Sequence, residues 1–127
     1  MKDIEKVSKK WNANHREYYR LRDKRNYEAN PELFKKRAKE YRARIKFRVF
    51  EHYGNKCSCC GETIKEFLSI DHIKNGGTKM RRETGIGTTQ FYKWLIDHNF
   101  PEGYRLLCMN CNWGRRMNNG TCPHERK

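Results

Sequence analysis

Four cysteines in two close pairs, with an Asp-His dipeptide between them, are the residues of this chain best suited to chemistry. Cys57 and Cys60 form one C-x-x-C pair, and Cys108 and Cys111 form the other. Two such pairs suit a tetrahedral zinc ion, because each pair brings two thiolates to one side of the metal. The sequence therefore predicts a structural zinc site.

The Asp71-His72 dipeptide lies in an apolar, alternating run from Phe67 to Ile73 that predicts a β-strand. Successive side chains of a strand point to opposite faces, so the carboxylate and the imidazole are expected to diverge. One is then placed to hold a metal ion and the other to move a proton nearby. Taken alone, an Asp-His dipeptide is more often a polar pair at a strand end. Its position between two cysteine pairs favours the functional interpretation.

The combination resembles the HNH, or ββα-metal, endonuclease family, in the zinc-bearing branch similar to phage recombination endonuclease VII. In that pattern an Asp-His pair on the first strand of a hairpin is followed by C-x-x-C-Asn, which leads into a short helix. The resemblance covers residues 51–127 and does not extend to the first fifty. The matching positions are Asp71, His72, Cys108, Cys111 and Asn112.

The resemblance implies how these residues would share the hydrolysis of a phosphodiester. His72 would be the general base, since a neutral imidazole can take a proton from water near pH 7. Asp71 and Asn112 would bind one catalytic Mg²⁺ or Mn²⁺, because hard divalent cations prefer oxygen ligands. Asn112 also fits a plain helix N-cap. The asparagine that orients the base in many relatives is missing, and Asn75 or a backbone carbonyl would have to replace it.

The amino-acid composition limits what kind of protein this chain can form. The chain has 127 residues, of which 35% are hydrophobic and 35% are charged. A chain of this kind buries a small core, and small domains often need a metal ion or disulfides for stability. It shows no secretory leader and no apolar run of about 18 residues, so we expect a soluble cytoplasmic protein that is not bound to a membrane. Paired cysteines in the cytoplasm more often bind metal than form disulfides.

The positive charge is concentrated in the first part of the chain. Residues 1–50 contain 17 Lys and Arg against 7 Asp and Glu, whereas residues 51–127 contain 12 against 8. The formal net charge of the whole chain is +14. This asymmetry indicates a polyanionic partner, most simply double-stranded DNA. The alternative is a basic surface that serves only solubility.

Two long helices are predicted in the basic region. The first covers residues 4–28, and the second runs from Pro31 to about Tyr53, with Asn30 as its N-cap and Gly54 as its end. Basic residues interleaved with tyrosines suit contact with a phosphate backbone, although solvated helix surface explains them equally well. The candidate nucleic-acid-binding residues are Arg20, Arg22, Arg42, Arg44, Lys46, Arg115 and Arg116.

The second half of the chain is predicted to contain two strands and two short helices. A loop is expected from Lys74 through Gly87, because glycine and polar residues dominate it. Cys59, Cys122 and His124 are expected to lie outside the main zinc site. The predicted elements are a strand over Phe67–Ile73, a helix from Thr88 to His98, a strand over Tyr104–Leu107 and a helix over Asn112–Asn118.

These expectations define an α+β protein with a basic N-terminal helical arm, residues 1–50, followed by a zinc-stapled ββα-metal (HNH) domain, residues 51–127. The expected function is metal-dependent endonucleolytic cleavage of DNA, with zinc as the structural ion and Mg²⁺ or Mn²⁺ as the catalytic ion. The resemblance adds a homodimer formed through the N-terminal helices. The alternatives are a non-catalytic zinc-ribbon DNA-binding protein and an RNA-directed nuclease or binding protein.

Overall fold

The computed structural model describes residues 2–74 and 76–125, and within this part it omits the side chains of residues 2–8 and 14. The described chain contains five α-helices, one two-stranded sheet and two short 3-10 turns, so the α+β prediction is confirmed. The 3-10 turns are Lys65–Phe67 and Pro123–Glu125. The other elements are α1 Lys2–Ala29, α2 Pro31–His52, β1 Leu68–His72, α3 Gly77–Thr84, α4 Thr88–Asp97, β2 Tyr104–Cys108 and α5 Met109–Met117.

The chain divides into two compact units, Met1–Tyr41 and Arg42–Lys127. This division lies earlier than the boundary predicted near residue 50. The reason is that Ile45, Val49 and Phe50, on the last turns of α2, are buried in the core of the second unit. The apolar residues of α2 recur at three- and four-residue steps, and their burial begins only at the end of the helix.

The first unit consists of α1 and the beginning of α2, which meet at Asn30. The Leu33 N–H donates a hydrogen bond to Asn30 Oδ1 at 3.2 Å, as the predicted N-cap requires. Among the described side chains of α1 none is buried, and Trp11 and Tyr18 are 49% and 62% exposed. The described side chains of α1 therefore form no buried core within this unit.

The sheet of the second unit places the two predicted strands side by side. Strands β1 and β2 are antiparallel, and Asp71 is paired with Arg105 while His72 is paired with Tyr104. Helix α5 follows β2 directly and packs on both strands, so the order of elements is strand, strand, helix. The core contains Ile45, Val49, Phe50, Leu68, Phe91, Tyr92, Leu95, Leu106, Leu107 and four of the cysteines.

Two helix boundaries differ from the sequence predictions. The predicted loop after β1 contains α3, which starts after Gly76 at φ 107° and ends at Gly85 at φ 67°, backbone angles that glycine adopts without strain. Helix α5 begins at Met109 rather than Asn112, because the Cys108 side chain serves as its N-cap and accepts a hydrogen bond from the Cys111 N–H. No helix within residues 2–74 and 76–125 is long and apolar enough to span a membrane.

Candidate functional site

The predicted zinc ligands lie together. The sulfur atoms of Cys57, Cys60, Cys108 and Cys111 are all within 4.8 Å of one another. Cys60 Sγ and Cys108 Sγ are 3.6 Å apart, close to the value of about 3.8 Å that two thiolates have on a tetrahedral zinc ion with bonds of about 2.3 Å. All six cysteines of the chain are free thiols. The residues present therefore fit a zinc ion.

Backbone hydrogen bonds shape the first cysteine pair into a knuckle and attach it to the sheet. The Cys57 N–H donates to the Glu62 carbonyl at 2.8 Å, and the Gly61 N–H donates to the Cys57 carbonyl at 3.0 Å. Gly61 has a φ of 80°, which favours glycine at this turn. The Ser58 N–H donates to the Leu106 carbonyl of β2 at 2.9 Å, so the knuckle lies beside the strand that leads to the second pair.

The backbone of the knuckle also favours a thiolate. Burial acts against ionisation of Cys57, but hydrogen bonds from the backbone N–H groups of Cys60, Cys108 and Cys59 lower its pKa to about 6. Burial, and then hydrogen bonds with the Cys108, Cys60 and Cys122 thiols, raise the pKa of Cys111. A zinc ion would overcome the second effect, because cysteine binds the metal as a thiolate.

A cleft of about 640 Å³ lies between β1, the helices α3 and α4, and α5. Asp71, His72 and Asn112 all line it, so the structure brings the three predicted catalytic residues together. Two exposed arginines, Arg81 on α3 and Arg116 on α5, also line the cleft. The arrangement combines carboxylate and amide oxygens, an imidazole and cationic groups around one open volume.

His72 is held between aromatic rings. Its ring stacks on Phe91 of α4 with the centroids 5.3 Å apart, and Tyr104 of β2 meets its edge at 5.0 Å. Gly77, at the start of α3, lies so near that a Cβ there would be 2.8 Å from His72 Nδ1. The helix can approach the imidazole this closely because position 77 has no side chain.

The surroundings of His72 favour the neutral form of its imidazole. Burial lowers the pKa of His72 and Arg81 lowers it further, while the Asp71 carboxylate acts in the opposite direction. Its Nε2 atom is buried and has no hydrogen-bond partner among the described residues. A buried ring nitrogen without a partner is uncommon in folded proteins.

Asp71 is 8% exposed and accepts hydrogen bonds from two arginines. Arg105 Nε donates to Asp71 Oδ2 at 3.1 Å, and Arg115 Nη1 donates to the same oxygen at 2.5 Å. Arg115 is itself only 5% exposed, and its Nη2 donates to the carbonyls of His72 and Ile73. The prediction that Arg115 binds nucleic acid from the helix surface is therefore corrected, because this guanidinium is buried and holds the end of β1.

Asn112 is half-buried and occupies the first turn of α5, so it is not the N-cap. Asn75, one of the two substitutes suggested for the residue that orients His72, lies outside the described residues.

The donor set of the cleft fits a hard divalent cation. Asp71 and Asn112 offer carboxylate and amide oxygens, which are the ligands that Mg²⁺ prefers. The hydrogen bonds from Arg105 and Arg115 both end on Asp71 Oδ2. Neither Asp71 nor Asn112 belongs to the cysteine groups, so the two kinds of metal would have separate ligands.

The other predicted nucleic-acid-binding residues are exposed. Arg20 forms an ion pair with Glu17 at 2.7 Å, and Arg22 pairs with Asp23 at 2.8 Å. Such pairs on a helix surface contribute little to stability, so they compete weakly with a phosphate. Arg42, Arg44, Lys46 and Arg116 are exposed as well.

Two functional candidates were not predicted from the sequence. Arg105 faces Asp71 across the sheet, which the strand register reveals but the sequence separation hides. Arg81 lies on α3, a helix that was predicted to be a loop.

The remaining cysteines and a histidine form a second group. Cys59, Cys122 and His124 are outside the first set of four, but their ligand atoms and Cys111 Sγ all lie within 4.8 Å of one another. No pattern in the sequence predicts the C-terminal turn that brings Cys122 and His124 back to α5.

No protein-family model, curated protein or solved structure matches this chain, so its function is argued from the residues and geometry described above.

Proposed function

We propose that the protein is a metal-dependent DNA endonuclease of the HNH, or ββα-metal, type. The observation that carries this proposal is the convergence of Asp71, His72 and Asn112 on one cleft, where the imidazole is kept neutral by its surroundings. The strand–strand–helix order of β1, β2 and α5, beside a cysteine group suited to zinc, supports the same assignment.

His72 is the general base in this proposal. Its lowered pKa keeps the ring unprotonated at neutral pH, so the imidazole can accept the proton of a water molecule that attacks phosphorus. Stacking on Phe91 and the close approach of Gly77 fix the plane of the ring, which orients Nε2. Arg115 contributes indirectly, because its hydrogen bonds to the His72 and Ile73 carbonyls hold the end of the strand.

Asp71 and Asn112 would hold the catalytic Mg²⁺ or Mn²⁺. The bound cation would supply positive charge to the scissile phosphate and to the leaving oxygen. The paired arginines orient the Asp71 carboxylate, and α5 positions the Asn112 amide on the same cleft.

The substrate is proposed to be DNA because the exposed charges suit a long polyanion. Arg81 and Arg116 line the cleft, and the predicted phosphate-binding residues of α1 and α2 are exposed. Phosphate contacts of this kind position a nucleic acid without reading its sequence. The exposed Trp11, Tyr18 and Leu21 of α1 support the pairing of two copies through the N-terminal helices, as proposed from the resemblance.

The test is incubation of supercoiled plasmid with purified protein and Mg²⁺, comparing His72→Ala with His98→Ala. His98 is exposed and does not line the cleft, so His98→Ala should cleave like the original protein. His72→Ala should lose about 10²–10⁴-fold in rate, the usual contribution of a general base. Zinc content and circular dichroism of the two variants should agree, which separates loss of chemistry from loss of fold.

Metal dependence provides a second measurement. Asp71→Asn and Asn112→Ala should require more Mg²⁺ for the same cleavage rate, or lose cleavage, while keeping their zinc. Binding without cleavage in every metal condition would instead support the non-catalytic zinc protein. Cleavage of RNA but not of plasmid would support the RNA-directed alternative. Equal rates for the two histidine variants would remove His72 from the mechanism.

A further inference from the structure

The second group of ligand atoms has the geometry of a tetrahedral metal site. Cys111 Sγ is 3.3 Å from His124 Nδ1, and Cys122 Sγ is 3.6 Å from the same nitrogen. A thiolate and an imidazole nitrogen on one zinc ion are about 3.5 Å apart, given bonds of about 2.3 and 2.0 Å at a tetrahedral angle. Cys59 Sγ completes the group within 4.8 Å of the others. Four ligands are thus within reach of one ion.

The fold builds this group from three separate segments. Cys59 lies on the first knuckle, Cys111 on the first turn of α5, His124 on the C-terminal 3-10 turn and Cys122 directly before that turn. This turn packs on α5. Gly114 permits the approach, because a Cβ at this position would be only 2.8 Å from Pro123 Cδ.

The buried cysteines of the group are held against the core. Cys111 is 0% exposed and Cys122 is 2% exposed. The chain reverses at Asn119 and Gly120, which have φ values of 52° and 89°, and the Gly120 N–H donates to the Arg115 carbonyl at 2.8 Å. The segment is therefore connected to α5 by a defined turn as well as by packing.

We propose that Cys59, Cys111, Cys122 and His124 bind a second zinc ion, joined to the first through the Cys111 thiolate. Cys111 belongs to both groups, and a thiolate sulfur can bridge two zinc ions because it has more than one lone pair. Seven residues then provide the eight positions of two tetrahedra. Six thiols lose six protons to the solvent as the two ions bind, and His124 binds as neutral imidazole.

The bridged centre explains features that a single ion leaves without a role. A single ion on Cys57, Cys60, Cys108 and Cys111 leaves two thiols and a histidine gathered at Cys111 with nothing to bind. The two ions carry four positive charges and the six thiolates carry six negative charges, which leaves a net charge of −2. That is the same net charge as one zinc ion with four thiolates, so the second ion adds no charge to the centre.

The first test is metal analysis of protein purified without added metal. The expected ratio is two zinc ions per chain, falling to one in His124→Ala and in Cys122→Ser. His98→Ala is the matched control and should keep two. His124 is exposed, so its variant should fold even if Cys122→Ser does not. One zinc ion in the original protein, unchanged in His124→Ala, would overturn the proposal, as would two ions retained in both variants.

The bridge itself is tested by replacing zinc with an NMR-active cadmium isotope. Two resonances, each split by coupling to the other metal, are expected if Cys111 binds both ions. Two unsplit resonances would refute the shared thiolate, and one resonance would refute the second ion. The second zinc ion does not depend on nuclease activity, so protein with two zinc ions that does not cleave plasmid would contradict only the activity.

Discussion

Replacing Arg115 by methionine should strongly destabilise the second unit, because the change removes one partner of a buried ion pair. Asp71 and Arg115 are 8% and 5% exposed, and removing one member of such a pair typically costs about 3–5 kcal/mol. Arg105 still reaches Asp71 Oδ2 at 3.1 Å and is partly exposed, so the lower end, about 3 kcal/mol, applies. Loss of the hydrogen bonds to the His72 and Ile73 carbonyls adds about 1 kcal/mol.

The assay is urea unfolding of zinc-loaded protein followed by circular dichroism at a fixed zinc concentration, since bound metal raises the apparent stability. Arg116→Met is the matched control, because Arg116 is the neighbouring residue on α5 but is exposed. It should change the free energy of unfolding by less than about 0.5 kcal/mol.

A double-mutant cycle then isolates the ion pair. Asp71→Asn combined with Arg115→Met should be less destabilising than the sum of the single changes, by about 1 kcal/mol or more, because no buried charge is left without a partner. Equal unfolding free energies for Arg115→Met and Arg116→Met would refute the reasoning. So would strict additivity of the two changes at positions 71 and 115.

The cleft and the N-terminal unit allow further predictions. The lowered pKa of His72 predicts a pH–rate profile whose acidic limb has its midpoint below pH 6.5, since only the neutral ring accepts a proton. The same shift means that the unfolded chain binds more protons than the folded one, so the free energy of unfolding should decrease as the pH falls below 6.5. Gly77→Ala would place a methyl group 2.8 Å from His72 Nδ1 and should reduce cleavage by about 10²-fold, whereas Gly87→Ala, whose Cβ meets no atom nearer than 4.0 Å, should cleave normally. Removal of residues 1–41, the first compact unit, should weaken DNA binding and flatten the plot of log affinity against log salt by about 0.9 for each phosphate that this unit neutralises.

Each of these predictions has a result that would contradict it. An acidic midpoint above pH 6.5 would show that the protein stabilises the protonated imidazole of His72. Equal cleavage by Gly77→Ala and Gly87→Ala, at equal zinc content, would show that the position of the ring does not matter. An unchanged salt slope after removal of residues 1–41 would show that this unit does not contact phosphate.

The features predicted well from sequence depend on local chemistry. The Asn30 cap hydrogen-bonds to Leu33, and the alternating run around Asp71 forms a strand with ends one residue inside those predicted. The C-x-x-C spacing brings the two sulfur atoms of each pair close together, because this spacing is a local geometric constraint.

The features that were missed depend on contacts between distant parts of the chain. Arg115 was expected on a helix surface, because its sequence neighbours do not reveal a carboxylate 44 residues away. Burial along α2 begins at Ile45 because the helix packs there in the core of the second unit. A helical pattern in the sequence does not show where along the helix this burial begins. The α3 helix has no buried residue of its own, so no apolar period indicates it.

The arrangement of residues around α5 restricts insertions and deletions in this helix. Cys111 and Arg115 are four residues apart and lie on one buried face, while Asn112 and Arg116 repeat the same spacing along the cleft. Each residue turns the helix by about 100°, so inserting or deleting one residue after Asn112 would carry Arg115 away from Asp71 while leaving Cys108 and Cys111 in place. A substitution in α5 changes the contacts of one side chain. A change in the length of α5 rotates Arg115 and Arg116 relative to Cys111 and Asn112. The length of α5 should therefore be fixed.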